Sequence, residues 1–199
     1  MPRAPGQVDE LKSAAILQAA SDLFVEKGAG ASMAEIARRA GVSKQTLYNR
    51  FPTKTDIGRA LAAQRSDVVT APLTSGAAPE DVLTAIAETL ISKICHEGKG
   101  ASLRGVALMS PEAPELSRAI YDAGPGESVR RIAAWLTEQD RMGLLSVPDP
   151  LSAAEMFAGM TLGHGHLRSV LALPHPHQDN IPARARETAR RFMRAFAPG

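Results

Sequence analysis

SMAEIARRAGVSKQTLYNRFPTK, residues 32–54, sets two short helical patterns on either side of a single glycine. Ser32 stands three residues before Glu35, the spacing at which a hydroxyl and a carboxylate cap each other's backbone and open a helix. That helix ends at Gly41, where a residue without a Cβ allows a sharp reversal, and Val42 can plug the angle that results. A second helix begins at Ser43 or Lys44 and runs to Phe51, because Pro52 disfavours a helical residue before it. Thr53 followed by Asp56 repeats the capping pattern for another helix reaching about Arg65. Ile36, Ala37, Ala40, Val42 and Leu47 then form an inner surface. Ser43, Lys44, Gln45, Thr46, Tyr48, Asn49 and Arg50 are left outside.

The inner surface needs a partner, and the preceding segment supplies one. From Asp9 to Lys27, the residues Ile16, Ala20, Leu23 and Phe24 recur at helical spacing, and Gly28 is a fitting stop. Three such helices make a helix-turn-helix arrangement, in which the second helix of the pair enters the DNA major groove. The outward chemistry suits that task. Lys44, Gln45 and Thr46 lie at the N-terminal end of the second helix, from which base edges are reached. Gln45 can bridge adenine N6 and N7, and Lys44 can reach guanine or phosphate. Ser32, Ser43, Tyr48 and Thr53 can donate to phosphate oxygens, and Lys54 adds positive charge at the start of the following helix. The plainer reading is a surface helical hairpin with no ligand.

Helical patterns continue through the remaining chain, and no stretch alternates as a strand does. Residues 71–80 read as a loop. Helices are expected over Glu80–His96, Leu103–Met109, Glu115–Ala123, Glu127–Met142, one long apolar Leu151–Leu173, and Ala183–Phe196. The fold class is therefore all-α, with roughly nine helices. A small head over residues 1–53, with a flexible arm at 1–8, precedes a larger body over 54–199.

Bulk properties agree with a soluble protein of 199 residues, 44% hydrophobic and 22% charged, without the long apolar run of a membrane span. The segment MPRAPGQVDE lacks a signal-peptide core, and a lone Cys95 cannot form an internal disulfide, so the expected location is the cytoplasm. Net charge is only +2, but residues 1–65 hold ten Lys/Arg against six Asp/Glu, while the rest holds thirteen against fifteen. A basic end on a mildly acidic body suits a polyanion-binding head. No G-x-S-x-G, C-x-x-C, P-loop or H-E-x-x-H occurs, so neither an enzyme nor a cofactor is expected. His164 and His166 diverge on a helix, and His175 and His177 lie in a proline-rich loop without acidic or thiol companions, so no metal is expected.

The segment ILQAASDLFVEKGAGASMAEIARRAGVSKQTLYNRFPTKTDI, residues 16–57, resembles the DNA-binding domain of the TetR family of transcriptional regulators. The matching features are LF…KG closing the first helix, IA..AGVS, TLY..F, and a lysine two residues beyond the proline. The resemblance implies an all-α homodimer whose three-helix head binds a pseudo-palindromic duplex operator and whose larger domain dimerises and holds a small-molecule effector. It implies that Ser32 and Ser43 bind the DNA backbone and that Gln45 and Thr46 read bases. Lys44 serves at either, Tyr48 packs against phosphates, and Lys54 contacts one. The chain departs from the pattern at Gln45, where a small residue is common. It departs again at Asn49-Arg50, in place of a His-Tyr or Tyr-His pair, and at Thr55, in place of an acid. These changes bear on the operator sequence.

The body is less informative. Ala154, Ala158, Gly159 and Gly163 permit close helix approach, and the expected use is a homodimer interface formed by 151–173 and the helix over 183–196, with packing inside one core as the alternative. Candidates for the wall of a small apolar effector's pocket are Cys95, Met109, Tyr121, Trp135, Met156, Met160 and His164; each is equally an ordinary core residue type. The functional expectation is a DNA-binding repressor released by that effector. The alternative is an all-α small-molecule-binding or protein-interaction module that does not bind DNA.

Overall fold

The computed structural model describes residues 5–96, 103–175 and 178–199, and every regular element among them is helical. In chain order these are α1 (Pro5–Lys27), α2 (Met33–Arg39), α3 (Lys44–Arg50), α4 (Lys54–Thr70), α5 (Pro79–His96) and α6 (Leu103–Met109). Then follow α7 (Pro114–Ala123), α8 (Pro125–Arg141), α9 (Pro150–Leu162), α10 (Gly165–Val170) and α11 (Ile181–Ala195). Short 3-10 turns occupy Gly28–Gly30 and Ala71–Thr74, the second inside the segment expected to be loop. Of the expected arm, residues 1–4 lie outside the described residues, and 5–8 already belong to α1.

The chain packs as two compact units, one of residues 1–63 with 98–123, the other of 64–97 with 124–199. In the first, Ile16, Leu17, Ala20, Leu23 and Phe24 form the buried stripe of α1. They close over Ile36 and Ala37 of α2, Leu47 of α3 and Ile57 of α4. So small a core leaves much of the geometry to the helix ends. Ser32 and Glu35 form the full capping box. Past Ala40, the amide of Val42 bonds the carbonyl of Ala37 at 3.1 Å and that of Gly41 bonds Arg38 at 3.3 Å. This paired closure requires a left-handed residue, and Gly41 supplies it with φ of +66°. Thr53 and Asp56 cap α4 reciprocally, the Asp56 amide donating to Thr53 Oγ1 and the Thr53 amide to Asp56 Oδ2, both at 3.1 Å.

Further along the same unit α4 runs against α7. A Cβ at Gly58 would sit 2.5 Å from Leu116 Cδ1 and 3.2 Å from Ile120 Cγ1, so glycine is what lets the two helices approach this closely.

The second unit is organised by apolar burial. α5 packs along α11, and α8 against α9, around Leu83, Ile86, Ile132, Leu136, Phe157 and Phe192, all essentially inaccessible. Phe157 and Phe192 meet edge to face with ring centres 5.3 Å apart, an arrangement worth roughly 0.5–1.5 kcal/mol beyond its buried area. The last turns of α4 join this unit through a buried hydrogen bond between the Ser66 and Ser128 hydroxyls at 2.9 Å. Arg131 donates to Asp67 at 2.7 Å and to Thr70 at 3.1 Å.

Two sequence expectations change here. The single helix expected over Leu151–Leu173 is broken into α9 and α10 at Gly163, whose φ of 47° and ψ of −134° suit glycine alone. The apolar run around it is continuous, so periodicity did not mark the break. The Ala/Phe stripe of the last helix, expected first at a subunit interface and otherwise in the chain's own core, packs in that core. Ala185, Ala189 and Phe192 are fully buried within the chain, and Phe196 is partly buried against the same core. The segment 151–173 leaves exposed Leu151, Met156, Leu167 and Leu171, together with two of the small residues, Gly159 and Gly163.

Candidate nucleic-acid interface

On α3, only Leu47 is buried. The helix is seven residues long, so one apolar anchor cannot fix its orientation, and polar contacts do the rest. Ser43 caps its start by accepting from the Thr46 amide at 3.0 Å, and the two hydroxyls share a hydrogen bond of 2.8 Å. At the other end Phe51 turns to extended backbone ahead of Pro52. Arg50 reaches back to α1. Its Nη1 donates to the Asp9 carbonyl at 2.8 Å and to Ser13 Oγ at 2.7 Å, and its Nη2 pairs with the Asp9 carboxylate. Helical spacing puts Arg50 beside Leu47 and away from Gln45, which explains why this arginine braces instead of facing out.

The α2 side is braced in the same manner. Arg39 holds Glu26 with two hydrogen bonds of 2.5 and 3.0 Å, and Lys27 pairs with Glu35. That ammonium, helped by the Ser32 amide and hydroxyl, brings the Glu35 carboxyl down to about 2. Glu26 is likewise lowered by its bond to Arg39, and Asp56 by the Thr53 hydroxyl. Each of these acids is charged at neutral pH and already matched. Lys44 and Arg38 are exposed and, among the described residues, their side chains make no protein hydrogen bond or ion pair. The uncompensated charge on this face is therefore positive.

The sequence-derived interface residues are mostly brought together. Ser43, Lys44, Gln45, Thr46, Tyr48 and Asn49 occupy the solvent side and first turn of α3, with Tyr48 46% exposed. Gln45 Nε2 donates to Asn49 Oδ1 at 2.7 Å, one turn apart. Ser32 is exposed at the start of α2, its hydroxyl engaged in the cap. Lys54 is partly held, its Nζ donating to the Ala29 carbonyl at 2.5 Å, with two N–H bonds left over. Two contributors lie outside the sequence-derived set, the brace Arg50 and the unpaired cation Arg38. Helical-wheel position gave a signal for the first, and exposure beside a paired Arg39 distinguishes the second.

The effector candidates divide. Met109, buried, and Tyr121, exposed, belong to the first unit. Cys95, Trp135 and Met160 are partly buried against the core of the second, where burial pushes the Cys95 thiol up. Met156 and His164 are exposed in that unit. An open depression in the first unit is lined by Thr55, Arg59, Glu115, Arg118, Ala119, Asp122 and Ala123, none of them an effector candidate. Among the described residues no three His, Cys, Asp or Glu side chains are placed to hold a metal, and His177 lies outside those residues. No described helix is long and apolar enough to cross a membrane.

Residues 16–61 match the family described as "Bacterial regulatory proteins, tetR family", and residues 81–198 match "AefR-like transcriptional repressor, C-terminal domain". No curated protein sequence matches the chain. Among solved structures, the flavonoid-responsive regulator FrrA is 30% identical, with 94% of this chain and 97% of that one covered and a TM-score of 0.69. A protein of Mesorhizobium loti assigned to the TetR family is 26% identical over 95% of this chain and 98% of its own, with a TM-score of 0.77. NalD, the secondary repressor of the MexAB-OprM multidrug efflux pump in Pseudomonas aeruginosa, shares the fold at 20% identity, covering 95% and 97% with a TM-score of 0.62.

Proposed function

The chain belongs to the TetR family of bacterial transcriptional regulators and is a DNA-binding protein of that kind; from this premise we propose that it is a repressor whose dimer grips a pseudo-palindromic operator until a small apolar effector releases it. The observation that carries the reading is the outer face of α3, where polar side chains and an unpaired lysine surround one buried leucine. In this reading residues 1–53 are the DNA-binding domain and 54–199 the effector and dimerisation domain, acting in the cytoplasm. Gln45, Asn49 and Thr46 face base edges. Ser32, Ser43, Tyr48, Lys54 and Arg38 hold the phosphates, and Lys44 serves bases or backbone.

Dimerisation uses the segments 151–173 and 183–196, through the apolar side chains that α9 and α10 leave in solvent, Leu151, Met156, Leu167 and Leu171. A two-fold dimer must set its recognition helices about 34–36 Å apart, or a multiple of that, to enter successive major grooves. An effector lodged among Cys95, Trp135 and Met160 that prefers another spacing shifts the population away from the DNA-binding form. Its leverage is limited to its differential affinity, commonly about 1–3 kcal/mol. The similarity to FrrA, a flavonoid-responsive regulator, supports a small-molecule effector of this general sort.

The test is duplex binding by fluorescence anisotropy across a salt series. Wild-type protein should bind DNA from its own upstream region, with affinity falling steeply as salt rises. Lys44→Ala and Lys54→Ala should weaken binding and flatten the salt slope. Sedimentation as a monomer at micromolar concentration, or salt-insensitive binding untouched by both substitutions, would overturn the proposal.

A further inference from the structure

The hydrogen bond between Gln45 and Asn49 joins two amides one turn apart on the exposed face of α3. Both residues are solvent-exposed, and no other hydrogen bond to a protein group engages either amide among the described residues. A bonded amide pair has a fixed pattern of free ends. Here Gln45 Nε2 is the donor and Asn49 Oδ1 the acceptor, so Gln45 Oε1 and Asn49 Nδ2 are the wholly unengaged ends, while Nε2 keeps one further N–H and Oδ1 one further lone pair. Turning both amides over exchanges the roles of the two residues but again leaves one carbonyl oxygen and one NH2 group. Turning only one sets two donors or two acceptors against each other and breaks the pair. In either permitted state the pair therefore offers one acceptor beside one donor.

We infer that Gln45 and Asn49 act as one bonded amide pair that selects adenine in each operator half-site. The inference rests on the DNA-binding reading above. In the major groove adenine presents the N6 amino donor beside the N7 acceptor, the complement of the pair's free ends. Guanine presents two acceptors, O6 and N7, and no donor, so it leaves the pair's free carbonyl oxygen without a partner in the groove. A lone glutamine can also span adenine, but it must first give up side-chain freedom. Here the partner amide one turn away holds it beforehand, which lowers the cost of ordering it on binding. Thr46, the other residue expected to read bases, has its hydroxyl bonded to Ser43, and Lys44 carries donors only. The selection of adenine thus falls to the pair.

The experiment is selection of full-length protein on a randomised duplex library, followed by affinity measurements on the selected site with each base at each position. Wild type, Gln45→Ala, Asn49→Ala and the double variant are compared, with thermal unfolding to verify that all four fold alike. The expected result is adenine at one position per half-site, preferred over guanine about 5- to 150-fold. Both single variants should lose that same preference, and the double variant should lose no more than either, since the two side chains act as a unit. Guanine at the position, or two single variants that relax different positions with additive effects, would overturn the pair while leaving DNA binding intact. A library from which wild type enriches nothing would overturn the DNA-binding reading and the pair with it.

Discussion

Helices α3 and α11 both carry arginines and both turn a polar face to solvent, but they are held in place by opposite means. α11 is fifteen residues long and buries Ile181, Ala185, Thr188, Ala189 and Phe192 along one stripe, so its own apolar face fixes it. Its outward arginines are partly matched on the spot, since Arg190 and Arg191 both pair with Glu187. α3 has seven residues and one buried side chain. It is held at its ends and edge by the Ser43 cap, the closure through Gly41 and the Arg50 brace to α1. A helix that supports a core can devote a whole face to it. A helix that must present side chains to a partner keeps its surface free and is positioned from outside that surface.

The largest expected effect tests the supporting side. Phe192→Ala should cost about 3–5 kcal/mol, by loss of burial and of the contacts with Phe157 and Phe196. The measurement is urea unfolding followed by tryptophan fluorescence, and a shift well below this range would mean that α11 is not held by its stripe. Leu47→Ala comes next, at about 2–4 kcal/mol, and should abolish specific DNA binding because α3 has no second anchor. Hydrogen exchange of the α3 amides reads this directly; unchanged protection would break the contrast between the helices.

Smaller effects sharpen it. Ser43→Ala should destabilise the first unit by about 1 kcal/mol through loss of the N-cap, a change visible as faster exchange at the start of α3. Arg50→Gln should cost about 0.5–1 kcal/mol, because its carboxylate partner Asp9 is largely in water. Its effect on operator affinity should exceed its effect on stability, since it aims α3 more than it holds the core. Anisotropy and thermal unfolding on the same samples separate the two. The smallest effect is one of pH. Glu35 sits at about 2 against an ordinary 4.5, with Lys27 as the leading cause. Its contribution is complete above about pH 4.5 and is withdrawn as pH falls toward 2, because protonation removes the ion pair and the capping acceptor. Glu35→Gln should flatten that part of an acid titration followed by circular dichroism and lower the stability at neutral pH, where the ion pair with Lys27 is fully formed.

The same contrast accounts for what could be read from the chain. The head was legible because its determinants are local: Ser32 with Glu35, Gly41, Ser43, Thr53 with Asp56. Each lies within a few residues of the backbone group it satisfies, and each is present in the structure as expected. Contacts between distant residues were not legible. Nothing in the spacing of Asp9 and Arg50 announces a bond between them, and the same holds for Lys54 and the Ala29 carbonyl. In the body, small and apolar residues satisfy an intrachain core and a subunit interface equally well. That is why the alanines and phenylalanines of α11 read from sequence as a subunit interface and yet are buried in the chain's own core. Gly163 was hidden for a related reason: a glycine within an apolar helix pattern is as often tolerated as decisive.

Gly58 has a use of its own. With no side chain, it sets the spacing of α4 and α7 by backbone contact against Leu116 and Ile120. The first obstacle to a larger residue is the Cδ1 tip of Leu116, and Cγ1 of the β-branched Ile120 comes second. Position 58 therefore works as a one-atom gauge. A graded series of alanine, valine and leucine there would act as wedges of increasing thickness, turning the separation of these two helices into a dial that an engineer can set and whose effect on operator affinity can be calibrated step by step.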